Sequence, residues 1–432
     1  MVVEGRVHSF LRGYASSPYA YLPIIALILI IDVWMIASNS RWMDVDHYWY
    51  NIDDLFSHGM MPYRDYVFEY PPFSLAVFLI PRLFSFDLGS FRYSFAFFSS
   101  LAYVISAWLV MDMTKDNRKM FPLMVGILLI VPIVDQLFIM TRNDTFAMLF
   151  VVLSLWCYRK GYTRTAYVMV ALAAMIKIYP ALLIVGYVIY DIAKRDNTTA
   201  FRGLMVCGLT CLLMELPFLI IDPGSAFNYL TYHTGRPIQI ESVTATLMYV
   251  AYAFGLTSLH YDSTSGSENI VGELPDILSP YVNAIMVAAI ILLIVWLVSR
   301  IRYSRPMDGD GRMRLLYMVL PALTLMFIVL SKVYSAQYML WILMLMPMLI
   351  WSESDERTQI SLFVMTTMFG LASMIAAANY NGSDFLTARF IILEAVKNIL
   401  TVALLVMDIR IINNKLGKRP EASEDKPIPL TE

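Results

Sequence analysis

The sequence predicts an all-α polytopic membrane protein, and three observations predict it. Of its 432 residues 59% are hydrophobic and 15% charged, with a mean hydropathy of +0.62, whereas a soluble domain carries about 25% charged residues. Apolar runs near the ~20 residues that cross a bilayer recur along the chain. The connections between them are of two kinds, short basic ones and long ones rich in Asp, Glu, Tyr, His and Gln. The net charge of −2 argues against a nucleic-acid partner. Cys157, Cys207 and Cys211 all lie in apolar segments, which suits packing better than a disulfide framework.

The clear spans are 21–39, 92–112, 121–139, 203–221, 279–299, 315–331, 334–350, 360–378 and 390–409, with 145–158 a shorter one. Two stretches need arbitration. Residues 72–85 contain Pro81, and 166–190 are interrupted by Lys177 and Pro180. The positive-inside rule decides if 72–85 does not cross and 166–190 is two short helices meeting at Lys177. The basic loops 113–120, 159–165, 191–202 and 300–314 then share the cytoplasm with both termini. The result is a multi-pass protein of the cell membrane with about 12 spans and one domain over 1–412. Its first outer loop is 40–71, and a large outer loop is 222–278. The N-terminus (MVVEGRVHSFLRGY) is too polar for a cleaved signal. The polar tail 413–432 reads as disordered and cytoplasmic.

This topology gathers the chemistry-bearing residues on the non-cytoplasmic face. The first outer loop reads RWMDVDHYWYNIDDLFSHGMMPYRDYVFEYPP (41–72). Residues 46–58 have helical character, and Gly59 is a natural stop. Tyr48, Trp49, Tyr50 and Phe56 suit an interfacial helix. Asp46 is either its N-cap or a carboxylate base held above the bilayer, and the two roles are compatible. Asp44 and Asp46 form a D-x-D, a spacing that could hold a divalent metal. Pro71 and Pro72 stop any helix and force Tyr70 out of the α region. A rigid loop returning to the membrane there would set Glu69, with Tyr63, Arg64 and Tyr66 close by, near the first aspartates.

Four further stretches contribute. In MIKIYP (175–180), Lys177 sits inside an apolar run, where a lysine costs about 2.5–3.5 kcal/mol and faces a cavity or a partner. A hairpin tip at Lys177 would offer its ammonium to a lipid phosphate, beside Tyr179. Arg142 and Asp144 flank Asn143 in a short outer turn, where a local ion pair is the simpler reading. YHTGRPIQIES (232–242) brings His233, Arg236, Gln239 and Glu241 together, a set suited to phosphate and sugar hydroxyls. SKVYSAQYMLW (331–341) places Lys332, Gln337 and Tyr338 between two spans. An inverting glycosyl transfer needs these groups: a carboxylate to deprotonate the acceptor, and cations for the departing phosphate.

The order of these motifs resembles the GT-C superfamily of membrane glycosyltransferases. The chain looks most like glycosyltransferase family 87, the polyprenyl-phosphomannose-dependent α-mannosyltransferases. The resemblance is carried by DHYWY…GMMPYRDYVFEYPP (46–72), RND (142–144), KIYP (177–180), HTGRPIQIES (233–242) and SAQYMLW (335–341). It implies the GT-C fold and a polyprenyl-phosphate sugar donor. It also implies an acceptor that is a glycolipid or a lipid-linked glycan. A first-loop aspartate would be the base; Asp46, which heads a D-x-x-x-Y pattern with Tyr50, is preferred and Asp44 is second. Lys177 and Arg236 would approach the donor phosphate, and no metal cofactor is expected. Mannose is the default sugar. The competing readings are a lipid-linked glycan flippase and an oligosaccharyltransferase or glycan ligase. A flippase is disfavoured by the absence of repeated halves and by Asp32 as the mid-span carboxylate of the first six spans. An oligosaccharyltransferase would add a large soluble domain. Lys397, in the last span, finds no role in the sequence.

Overall fold

The structure is a computed structural model that describes residues 19, 21–37, 42–193, 196–263, 267–302, 309–380 and 384–416. Most of the tail and much of the 300–314 loop lie outside the described residues. The chain order is α1 (Leu22–Ala37), α2 (Met43–His58), α3 (Ser74–Arg82), α4 (Leu88–Thr114), α5 (Phe121–Val134), α6 (Gln136–Thr141), α7 (Asp144–Arg159), α8 (Thr163–Ala174), α9 (Ala181–Ala193) and α10 (Asn197–Ile221). Then come α11 (Asn228–Thr234), β1 (Ile238–Gln239), α12 (Val243–Ala253), β2 (His260–Asp262) and β3 (Asn269–Val271). The chain closes with α13 (Glu273–Arg302), α14 (Gly309–Leu330), α15 (Met339–Ser352), α16 (Glu356–Ala378) and α17 (Ala388–Leu416).

Among the described residues, six helices are long and apolar enough to cross a membrane: α4, α10, α13, α14, α16 and α17. The remaining apolar helices are shorter. α15 is buried along its whole length, as an all-apolar helix at the centre of a bundle should be. By contrast α10 and α13 expose Leu209, Leu212, Leu213, Ile291, Leu292 and Val295. Such continuous apolar surface belongs against lipid.

Local rules account for the breaks. α3 has nine residues, about 13 Å at 1.5 Å each, too short to cross. The run 166–190 divides into α8 and α9, with residues 175–180 between them and Pro180 at the start of the second. The run 121–139, expected as one span, divides at Asp135. Pro132 removes a backbone donor there. Asp135 is thus a carboxylate beside a span that the sequence reading overlooked, and the side chain of Asp32 lies outside the described residues. The large loop carries a small antiparallel sheet of order β1-β3-β2, with Ile238 opposite Ile270 and Tyr261 opposite Ile270 on the other edge. Gly272 closes it at φ +149, where a Cβ would lie 2.1 Å from the Ser258 carbonyl oxygen.

Candidate functional site

The site begins with α2. Its first turn carries Asp44 and Asp46, a favourable place for carboxylates near the helix N-terminus. The residue at the N-cap is Trp42, so Asp46 is not the cap that the sequence reading allowed. Gly59 ends the helix at φ +66, its N–H bonded to the Asp54 carbonyl. Residues two apart on a helix point about 200° apart, and the two aspartates diverge accordingly. Asp46 takes both guanidinium branches of Arg92 on α4, at 2.7 and 2.6 Å. Asp44 pairs with Arg142, in the turn between α6 and α7. Val45, Tyr48, Trp49 and Ile52 form the buried stripe of α2, so Asp44 and Tyr48 line one flank while Asp46 and the exposed Tyr50 line the other. Asp44 heads its own D-x-x-x-Y with Tyr48, overlapping the Asp46–Tyr50 pattern.

The Pro-Pro break has a definite task. Phe68 is buried against Tyr63, Tyr70 and Phe78. The Tyr63 hydroxyl donates to the Tyr70 carbonyl at 2.5 Å, and Tyr63 holds φ +69, uncommon for a non-glycine residue. After Pro71 and Pro72, the Phe73 N–H donates to the Met175 carbonyl at 2.9 Å and the Ser74 hydroxyl to that of Ile176 at 2.9 Å. Those carbonyls just follow α8, where a helix leaves acceptors unsatisfied. The break therefore docks the first loop onto the 175–180 turn. Glu69 lies 3.8 Å from Arg236. Arg64 pairs with its neighbour Asp65 at 2.7 Å on the surface.

The 175–180 turn holds Lys177, whose ammonium is 2.7 Å from Asp144. Asp144 is fully buried, and its other oxygen accepts the Trp341 indole N–H at 2.9 Å. Arg142 and Asp144 are therefore not each other's partner: one turns to Asp44, the other to Lys177. Tyr179 stacks on Trp341 with centroids 3.6 Å apart, and Tyr338 stacks on the same indole at 3.9 Å. Burial presses down the Arg142 guanidinium pKa, against the pull of Asp144 and Glu241.

The segments 236–242 and 331–338 are laced together. The Gln239 N–H donates to the Lys332 carbonyl at 2.9 Å. Its side-chain oxygen accepts from the Tyr334 N–H at 2.7 Å, and its amide donates to Ser335 at 2.8 Å and Glu241 at 3.1 Å. Gln239 is thus a structural tie. Glu241 is buried and faces Lys397 on α17. Lys332 is buried, which lowers its ammonium pKa. Gln337 and Tyr338 are half-buried. The side chain of His233 lies outside the described residues.

Several participants escaped the sequence reading. Arg92 was visible as the arginine inside an otherwise apolar run. Trp341 reads in the sequence as an interfacial anchor, whereas its indole binds Asp144 and carries the aromatic stack. Lys397 has Glu394 three residues before it, an i,i+3 pair on one helical face that signals a buried ion pair. Asn143 and Asp135 carried no local signal. Both Asp135 oxygens, both polar atoms of the Asn143 side chain and the Tyr179 hydroxyl are buried with no hydrogen-bond partner among the described residues. Natural proteins keep such atoms rarely, and they call for an explanation.

The arrangement is a desolvated cluster in which carboxylates and cations from five chain segments meet beside stacked aromatic rings. That suits an anionic, polyhydroxylated ligand at a membrane edge. Among curated proteins and among solved structures, no match to this sequence is found. The family model of glycosyltransferase family 87 matches residues 68–331. That interval holds Glu69, Arg142, Asp144, Lys177, Arg236, Gln239 and Glu241, and leaves α2 and α17 outside it. With more than half of its length matched, this helical membrane protein belongs to glycosyltransferase family 87.

Proposed function

We propose that the protein transfers a sugar, mannose as the first candidate, from a polyprenyl-phosphate donor to a glycolipid or lipid-linked glycan. The reaction inverts the anomeric centre and runs at the bundle end that carries α2, on the non-cytoplasmic face. The observation that carries this reading is the convergence of Lys177, Arg142 and Arg236 with Asp44, Asp144 and Glu69 beside the Tyr179–Trp341–Tyr338 stack. A lipid phosphate meets cations there, and a pyranose meets aromatic faces.

In this reading the base is Asp44. Asp46 has both oxygens engaged by Arg92 on the far flank of α2, whereas Asp44 stands with Tyr48 on the flank facing Arg142 and Asn143. Asp44 takes the proton of the acceptor hydroxyl. That oxygen bonds to the sugar C1 as the C1–O bond to phosphate breaks, and polyprenyl phosphate leaves with the electron pair. Lys177 and Arg236 neutralise the charge that grows on it. The reading includes no metal, since these cations supply the electrophilic assistance. Glu69 and Tyr70 hold the sugar or acceptor.

The test is transfer from radiolabelled polyprenyl-phosphomannose by purified protein in EDTA, with Asp44→Asn and Asp46→Asn alongside. Removing a general base should cost about 10²–10⁴-fold, so label should vanish in Asp44→Asn and persist in Asp46→Asn. The reverse pattern moves the base to Asp46. Absence of transfer by folded wild type, with glucosyl and arabinosyl donors also inert, overturns the proposal.

A further inference from the structure

We infer that α17 carries a positioning cluster, Lys397 with Asn398 and Glu394, that clasps the two segments bearing Arg236 and Tyr338 and thereby sets the affinity of the site for its anionic donor. The inference rests on the proposed donor reading and extends it to a helix outside the family match.

An ammonium, an amide and a carboxylate in consecutive turns of an apolar helix are costly to bury, yet Glu394, Lys397 and Asn398 are each at most 2% exposed. Lys397 meets Glu394 at 2.5 Å and Glu241 at 3.9 Å, and its ammonium also donates to the Glu241 carbonyl at 3.2 Å. Asn398 donates to the carbonyls of Glu241 and Ser242, at 3.2 and 3.1 Å, and to the Thr246 hydroxyl at 2.7 Å. Both side chains therefore grip the turn between β1 and α12, whose Glu241 and Ser242 lie two and three residues past the strand that follows Arg236. The same face of α17 reaches the second segment. Lys397 lies 4.4 Å over the Tyr334 ring, and the Tyr334 hydroxyl meets Thr401 at 3.1 Å. Tyr334 in turn donates its N–H to Gln239. One helical face thus closes a circuit through 239–242, 334–335 and back. Arg236 lies just before the first arc and Tyr338 just after the second.

The cluster reaches the site through intermediaries, the 241–242 turn and the Tyr334 ring that stacks on Tyr338, so its members are positioning residues. Their removal should loosen ligand geometry while leaving the base and the reaction coordinate in place.

The test compares Lys397→Met, the pair Lys397→Met with Glu394→Gln, and Asn398→Leu, in the full chain in detergent. Lys397→Met alone strands Glu394 in the core and is expected to fold poorly; the pair removes that stranded charge and leaves Glu241 as the buried carboxyl that loses Lys397. Two readouts are taken: amide hydrogen exchange, and donor KM and kcat for transfer. The inference expects lost protection confined to 236–242 and 331–338 in the pair and in Asn398→Leu. It also expects donor KM to rise about five- to tenfold with kcat within about twofold. A folded pair with wild-type protection and KM overturns it. Global unfolding of both the pair and Asn398→Leu also overturns it, assigning the cluster to folding alone. If wild type transfers nothing, the donor reading has failed, and the exchange pattern still decides whether α17 clasps the two segments.

Discussion

The two ends of the bundle use the same kinds of residue to opposite effect. At the end away from α2, charges sit around the short loops and pair locally or across one neighbouring loop. Arg159 and Arg314 each lie 4.8 Å from the Trp351 ring, whose indole donates to Asp116 at 2.7 Å. Lys119 pairs with Glu356, and Lys115 and Lys160 share Asp112. Most of these cations keep substantial contact with water. At the α2 end the innermost charges are dry: the Asp144 side chain, reached by Lys177 from a remote segment, is 1% exposed, as are those of the i,i+3 pair Lys397 and Glu394, while Arg92–Asp46 and Arg142–Asp44 further out stay partly hydrated. Exposed pairs contribute about 0–1 kcal/mol, whereas a buried pair is often no better than a hydrophobic one. Stability alone therefore does not account for the α2 end, and the proposed ligand gives these charges a second task.

The sharpest way to break this comparison is to unpair the dry end. Lys177→Met leaves the buried Asp144 carboxylate without its ammonium, held by the Trp341 indole and the more distant charge of Arg142, which should cost about 3–5 kcal/mol of stability. Thermal unfolding in detergent measures it. Adding Asp144→Asn should return most of the stability but little of the transfer. Recovery of transfer in the double variant would mean that Lys177 serves only to neutralise Asp144, and the phosphate role assigned to it would fall.

A pH titration probes the same end more gently. Burial, with Glu394 and Glu268 adding to it, pushes Glu241 up from an ordinary 4.5 to about 8, while Lys397 and Arg142 pull the other way. A carboxyl whose folded pKa is raised contributes stability that is complete below about 4.5 and lost as pH rises through about 8. The wild-type melting temperature should fall across that window. Glu241→Gln, which keeps a neutral side chain, should flatten the fall. An unchanged slope in Glu241→Gln assigns the titration elsewhere.

Much of this architecture was legible in the sequence because it depends on local rules. Hydropathy marked the helices, Pro180 and Lys177 marked the break between α8 and α9, and Gly59 marked the end of α2. What was hidden depends on which way a residue faces. Two overlapping D-x-x-x-Y patterns, 44–48 and 46–50, are equivalent as strings, and only the buried stripe of α2 separates their flanks. Arg142 beside Asp144 reads as a local pair, because the partners that capture them, Asp44 and Lys177, arrive from 98 and 33 positions away. Lys397 had no meaning until the turn after β1 was seen to rest on it.

The Pro-Pro break offers a smaller effect at the boundary between fold and site. Pro71→Ala gives the unfolded chain more freedom, a change of about 0.4–1 kcal/mol, and loosens the contacts of Phe73 and Ser74 with 175–176. Transfer should fall more than expression does. Equal losses would make the break a folding device with no bearing on Lys177.

The smallest effect belongs to the wet end, and it anchors the whole comparison. The Lys119 and Glu356 side chains are 55% and 49% exposed. Lys119→Ala removes an ion pair that water already screens, so stability should change by no more than about 0.5 kcal/mol and transfer by less than about twofold. Raising salt from 0.05 to about 0.5 M should erase even that difference, since screening then acts within a few ångströms. Lys177→Met should keep its full deficit at the same salt, because ions do not reach a buried pair. A salt response shared by both variants would mean that the two ends are solvated alike, and the distinction between a surface network and a desolvated site would be lost.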